Sequence, residues 1–289
     1  MIGIIDIGSN SIRLMIVEGD KTISKELEVA RLGEGLAFTG MLKAERMADA
    51  TAYIKGYVDE AKAKGASDVF VYATEAVRAA ANGNDFINMV YNATGIRLEV
   101  LPSAVEAKLG FSGAYSGVSP LAVVDIGGAS TEITVGDKYG ISYSKSLPIG
   151  CVRMRDKCEE DDVLLDEYID TMLERYGEIP KVDKAVFVAG SASIAVTMML
   201  KMDDYDASRT DGYIITKEDL ASLMAKIKST PYEERAVIQG LPASKIDVAY
   251  DGMRLITAIL DMLGLDSYTF SDKDSLEGYY KLLVKRGDI

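Results

Sequence analysis

Short runs of branched aliphatic residues alternate with longer amphipathic stretches along this chain. Residues 2–7 and 12–17 are two such runs flanking a glycine–serine cluster, which predicts a hairpin. The spacing over 44–64 predicts an amphipathic helix ending near Gly65. Strands are expected at 69–72 and 97–101, and helices at 85–91 and 104–115, the last following Pro102-Ser103. The pattern then restarts. Residues 121–125, 131–135 and 141–146 read as three successive antiparallel strands. A helix at 163–176, a strand at 185–188 running into Gly190 and a helix at 194–202 follow. The remainder reads as helices at 217–228 and 245–263, a short strand at 268–270 and a closing helix at 276–285. Such alternation in both halves predicts an α/β protein with mixed sheets.

The restart is visible in the residues themselves. Ile4-Ile5-Asp6-Ile7-Gly8-Ser9-Asn10-Ser11 and Val123-Val124-Asp125-Ile126-Gly127-Gly128-Ala129-Ser130 share one order: aliphatic run, Asp, Gly, then small residues and a hydroxyl. The two Asp residues stand 119 positions apart, enough for a complete small domain. Two related domains are therefore expected, 1–117 and 118–289, with the boundary near Gly117. A single copy of the motif is no more than a hairpin whose glycine permits unusual φ. Two copies point to a pair of turns whose backbone N–H groups hold phosphate, with a carboxylate beside each for a hydrated divalent cation. The chain has no Gly-Lys dipeptide, so neither turn is a Walker A loop.

Composition narrows the chemistry. A 289-residue chain that is 48% hydrophobic builds proper cores, and no uncharged apolar run is long enough to span a membrane. Met1-Ile2-Gly3 enters a strand at once, leaving no room for a signal peptide, so the cytoplasm is the expected compartment. Cys151 and Cys158 then read as reduced packing residues. Histidine is absent, which removes Ser-His-Asp and Cys-His machinery, histidine zinc sites and phosphohistidine intermediates. Proton transfer falls to carboxylates, Lys, Tyr or water, and a metal would be a hard ion such as Mg²⁺. The net charge of −13 argues against nucleic-acid binding, yet a local cluster of cations and amides can still take an anionic substrate.

The paired turns Asp6–Ser11 and 125–132 resemble the phosphate motifs of the actin, Hsp70 and sugar-kinase ATPase superfamily. Further blocks resemble the exopolyphosphatase and guanosine pentaphosphate phosphohydrolase (Ppx/GppA) family in its short two-domain form. These are Arg13, Arg31-Leu32-Gly33-Glu34-Gly35, Ala73-Thr74 with Arg78, and Val105-Glu106-Ala107-Lys108-Leu109. Ser146-Leu147-Pro148-Ile149-Gly150, Ser271-Asp272 and Glu277-Gly278 complete the set. The resemblance implies two ribonuclease-H-like (actin-like ATPase) domains with mixed sheets and an interdomain cleft, and Mg²⁺-dependent release of terminal phosphate from inorganic polyphosphate. It implies Glu106 as the base that activates water and Arg78 as the charge-balancing group. Asp6, Asp125 and Glu132 are expected at the metal, and Gly8, Ser9, Asn10, Ser11, Gly127, Gly128, Ala129 and Ser130 around the phosphates. A monovalent cation beside Mg²⁺ and a homodimer are compatible with it; no nucleic acid and no membrane is expected as a partner.

Alternatives stay open. Guanosine pentaphosphate is the rival substrate; a kinase-like ATPase and a non-catalytic phosphate or alarmone sensor are the rival classes. Ser191-Ala192 replaces the Gly-Gly pair that lies beside adenosine in the superfamily, which favours a substrate read by its phosphates. Glu75 stands where the family has a small or neutral residue, and is unfavourable near phosphate unless it points away or meets metal. Lys145, Arg153, Arg155 and Lys157 read as a basic loop that is either simply solvated or receives a long polyanion. Tyr53, Tyr57 and Tyr91 read as packing residues.

Overall fold

The computed structural model describes residues 1–9, 11–19, 21–115, 119–128, 130–159 and 161–289. The chain divides into two compact units, Met1–Leu109 with Leu282–Ile289, and Gly110–Lys281. Gly117, the expected boundary, lies outside the described residues, as do Asn10 and Ala129 of the two phosphate motifs.

The first unit contains β1 (Ile2–Ile7), β2 (Ile12–Glu18), β3 (Lys21–Glu28), α1 (Leu36–Thr39), α2 (Ala44–Ala63), β4 (Asp68–Ala73), α3 (Glu75–Ala79), α4 (Gly83–Thr94) and β5 (Leu98–Val100). Helix α5 (Ser103–Ala114) follows. The second unit contains β6 (Leu121–Ile126), β7 (Thr131–Asp137), β8 (Gly140–Leu147), α6 (Cys151–Cys158), α7 (Asp162–Glu174), β9 (Lys184–Val188) and α8 (Ala189–Leu200). It continues with α9 (Ala207–Thr210), β10 (Ile214–Thr216), α10 (Lys217–Ser229), α11 (Ala249–Leu263) and β11 (Ser267–Phe270), before α12 (Ser275–Arg286) closes the chain.

Both sheets are mixed, as expected. The five-stranded sheet runs β3-β2-β1-β4-β5 and the six-stranded sheet β10-β11-β9-β6-β7-β8. In each, an antiparallel trio (β1–β3, β6–β8) is extended by strands parallel to its first member. The trios repeat without a gap: β1 to β3 recur as β6 to β8 at a constant offset of 119 residues, Ile2 matching Leu121 and Glu28 matching Leu147. Even the bulge is kept, between Ile16 and Val17 in one sheet and between Val135 and Gly136 in the other.

Burial explains the strands. Ile4, Ile5 and Ile7 are all fully buried, and each such side chain contributes about 1.5–3 kcal/mol relative to an exposed one. Ile5 and Ile7 pack with Ile54 and Val58 of α2 and Phe86 of α4. In the second unit Val124 and Ile126 join the core formed with α6, α8 and α11.

Several short elements escaped the hydrophobic pattern, β3 and α6 among them, and one expected helix starts late. β3, Lys-Thr-Ile-Ser-Lys-Glu-Leu-Glu, is an exposed edge strand with only two apolar residues, so ladder bonds to β2 rather than side-chain burial define it. Its counterpart β8 was legible because Ile141 and Tyr143 mark it. α6 was expected as a basic loop; Arg153, Arg155 and Lys157 instead lie on a helix whose buried side is Cys151, Met154 and Cys158. The expected helix at 245–263 begins only at Ala249, after a single 3-10 turn at Ala243–Lys245.

Candidate functional site

In the first unit the candidate residues follow the carboxyl ends of three adjacent strands. Parallel strands deliver their outgoing loops to one edge of a sheet, where α/β proteins build their sites. Asp6 is next to last in β1, level with Tyr72 of β4. Thr74 leaves β4 with its N–H on the Ile7 carbonyl (3.3 Å) and leads into α3, which carries Glu75 and Arg78. β5 ends in Val100, and Leu101 continues the ladder through a 2.9 Å bond to the Ala73 carbonyl. Glu106 then occupies the first turn of α5. Residues a hundred positions apart thus meet because β1, β4 and β5 are neighbours.

Arg78 joins the cluster. It donates to the Leu101 carbonyl, to Glu75, and through both terminal nitrogens to Glu106 Oε2 at 3.2 Å. Glu106 is partly buried, and that burial holds its carboxyl above the ordinary glutamate range. Arg78 pulls the other way, and the nearby charges of Asp6 and Glu75 add to the rise. Glu75 meets a cation rather than pointing away, and it is the outermost member of the cluster. Asp6 is buried and ion-paired to Arg13, its cross-strand partner on β2.

The second unit repeats the geometry and changes the charge. Asp125 stands opposite Glu132, which stands opposite Ser146, so one row of side chains crosses β6, β7 and β8. The position of Arg13 is taken by Glu132, whose carboxylate accepts the Ser146 hydroxyl. Directly opposed like charges destabilise a sheet and are relieved by a cation. Mg²⁺ commonly uses one or two carboxylates and keeps several waters. Asp125 and Glu132 fit that donor set, and Asp6 is paired with a guanidinium. Among the described residues no group of three or more metal-ligating side chains gathers.

The two turns close identically. Gly8 N–H donates to the Ser11 carbonyl and Gly127 N–H to the Ser130 carbonyl, each at 2.9 Å. These two amides, expected to face phosphate, are therefore engaged in turn closure. A second bond fixes each turn from outside: Gly33 N–H reaches the Ser9 carbonyl at 2.7 Å, and Val152 and Arg153 N–H reach the Gly128 carbonyl at 3.0 Å. With Cys151 N–H on the Gly127 carbonyl (3.1 Å), the first amides of α6 are all taken up by the turn. Both contacts are tight enough that a side chain in place of the glycine would press on its neighbour. A Cβ on Gly33 would lie 3.0 Å from Ser9 Cβ, and one on Gly128 would lie 3.2 Å from Val152. The glycine is on the supporting segment in one unit and in the turn in the other. The block around Gly33 is thus explained as a brace.

Other expected residues fall elsewhere. Lys145 donates to the Arg175 carbonyl after α7, Arg155 to the Glu159 carbonyl at 2.8 Å, and Lys157 lies over the Tyr168 ring at 4.7 Å. These three side chains have partners within their own unit. Ser191 and Ala192 are buried in α8. Gly252 of α11 comes so close that a Cβ there would lie 3.3 Å from Ser191. Both side chains are buried, and that of Ser191 lies at the contact between α8 and α11. Tyr57 is a core residue, but Tyr53 and Tyr91 are exposed. Cys151 and Cys158 are free and buried, and burial raises the Cys158 thiol above its ordinary range. No helix among the described residues is long and apolar enough to cross a membrane.

Comparison with known proteins identifies the family. The chain is 30% identical, over 95% of its length, to a bifunctional 3-dehydroquinate synthase/phosphatase of Fusobacterium nucleatum, but spans only 45% of that protein. It is 28% identical to exopolyphosphatase 2 of Mycobacterium tuberculosis, with 95% of both chains covered. The crystal structure of the Aquifex aeolicus Ppx/GppA family member superposes with a TM-score of 0.86 at 26% identity, covering 100% of this chain and 98% of the other. The model of the Ppx/GppA phosphatase family matches residues 12–285, and the chain belongs to that family of phosphoanhydride hydrolases.

Proposed function

We propose that this protein releases terminal phosphate from inorganic polyphosphate, with Glu106 orienting and deprotonating the attacking water. Hydrolysis of a phosphoanhydride requires an in-line water, neutralisation of the phosphoryl oxygens and a group to take the water's proton. The observation that carries the assignment is the pairing of Glu106 with Arg78 beside Asp6. It puts a carboxylate of raised pKa next to a guanidinium, in a chain with no histidine. A carboxyl above its ordinary range is a better proton acceptor at neutral pH than an ordinary one. Arg78 offers the planar donor edge that balances charge on the transferred group.

Asp125 and Glu132, oriented by Ser146, would hold Mg²⁺. When bound, the ion would supply the electrostatic neutralisation of phosphate that an acidic protein lacks. The Ser9 and Gly128 amides, with the Ser11 and Ser130 hydroxyls, are the turn groups assigned to phosphate. Arg13 assists by neutralising Asp6, so a polyanion does not meet a bare carboxylate there.

Polyphosphate is favoured over guanosine pentaphosphate because every recognition group in this reading addresses phosphate, while Ser191 and Ala192 stand in place of a Gly-Gly pair. Phosphate release from medium-chain polyphosphate and from guanosine pentaphosphate, each with and without Mg²⁺, tests the reading. Turnover of polyphosphate dependent on Mg²⁺ is expected. Turnover of guanosine pentaphosphate alone would replace the substrate, and no release from either would remove the function.

A further inference from the structure

Arg78 has no terminal donor to spare. A guanidinium carries four N–H groups on its two terminal nitrogens and a fifth on Nε. Nη1 donates to the Leu101 carbonyl and to Glu106; Nη2 donates to Glu75 and to the same Glu106 oxygen. A phosphoryl group can reach the terminal donors of Arg78 only if one of these partners lets go.

The three partners are not equally held. Leu101 is fully buried, and its N–H is itself locked to β4. The Glu106 side chain is 37% exposed, with its position fixed by the first turn of α5. The Glu75 side chain is 62% exposed and reaches Arg78 from three residues back on the same five-residue helix. An exposed ion pair within one helix is the weakest kind of the three. Glu75 is also a carboxylate, and its Oε2 offers Arg78 Nη2 an anionic oxygen acceptor, as a phosphoryl oxygen would.

We propose that Glu75 is a built-in competitor for Arg78: its carboxylate occupies the guanidinium edge that a phosphoryl group of the substrate takes over. Glu75 thereby sets the affinity for the phosphoanhydride, and leaves Arg78 charge-balanced until substrate arrives. The identity of the incoming anion rests on the polyphosphate reading above.

The test is calorimetric titration of tripolyphosphate, without divalent metal, into the wild-type protein and the Glu75→Ala, Arg78→Ala and double variants. Glu75→Ala is expected to bind about three- to tenfold more tightly, and the gain is expected to vanish in the Arg78→Ala background. With metal, the same substitution should lower KM by a similar factor. Unchanged or weaker binding by Glu75→Ala overturns the competitor role. So does a gain that persists undiminished without Arg78, which would reflect general repulsion, or a lack of binding by every variant. If phosphate is released by the wild type but Glu75→Ala binds no better, the competitor role fails and hydrolysis stands. If binding shows the expected dependence but no divalent metal supports phosphate release, hydrolysis fails and the competitor role stands.

Discussion

Asp125 and Glu132 occupy directly opposed positions on β6 and β7, and the corresponding pair of the first unit is Asp6 and Arg13. One exchange of charge sign distinguishes this position in two hairpins that share strand lengths and turn closure. In the first unit Asp6 is paired with a guanidinium. In the second, two carboxylates stand at opposed positions and Glu132 accepts a serine hydroxyl, a donor set of the kind Mg²⁺ uses.

That asymmetry makes a prediction about metal binding. Glu132→Gln should weaken Mn²⁺, used as a paramagnetic stand-in for Mg²⁺, by at least tenfold or so, and Ser146→Ala by about tenfold through loss of the bond orienting Glu132. Asp6→Asn should have a much smaller effect, because Arg13 already neutralises that carboxylate. Titration followed by electron paramagnetic resonance distinguishes the three. An Asp6→Asn loss as large as that of Glu132→Gln would place the metal elsewhere.

Glu106→Gln keeps the size of the side chain and an acceptor for Arg78 but cannot take a proton. Phosphate release should fall by about two to four orders of magnitude, the usual contribution of a general base. The thermal midpoint should stay within a few degrees of wild type. Wild-type turnover by a folded Glu106→Gln protein would remove Glu106 from the chemistry.

The pH dependence follows from the same carboxyl. Burial first, then Asp6 and Glu75, push Glu106 upward, while Arg78 opposes them. The reactive form is the carboxylate, so activity is lost as pH falls through the raised value. The acid limb of kcat/KM should therefore lie above the ordinary glutamate value of about 4.3. Arg78→Ala removes the opposing influence and should move that limb higher still. An acid limb at or below the ordinary value would contradict the burial of Glu106.

The two braces make a reciprocal test. Gly33→Ala would press a Cβ to 3.0 Å from Ser9 Cβ, distorting the first turn and destabilising the protein by about 1–3 kcal/mol. Adding Ser9→Gly would move the glycine to the turn, the arrangement Gly128 and Val152 already have. The double variant should recover most of the loss in a thermal or urea denaturation. Failure to recover would mean that the contact between Gly33 and Ser9 is not what limits that position.

The alternation of apolar runs determined the two mixed sheets, because buried strands and amphipathic helices each carry their own period. The duplicated Asp-Gly turns were equally legible, being local hairpins whose residues are consecutive. So was the exclusion of histidine chemistry, which composition alone decides. Family motifs in the sequence singled out Glu106, Arg78, Asp125 and Glu132.

Partnership was decided only in three dimensions. Arg78 reaches Glu106 because β4 and β5 are adjacent parallel strands, an adjacency that no local pattern encodes. Asp6 meets Arg13, and Glu132 meets Asp125 and Ser146, through strand register, which one residue of slip would reverse. The basic stretch after Gly150 became a helix because Cys151, Met154 and Cys158 found a core to enter. Charge and periodicity are properties of a sequence; which charges neutralise one another depends on the neighbours that folding supplies.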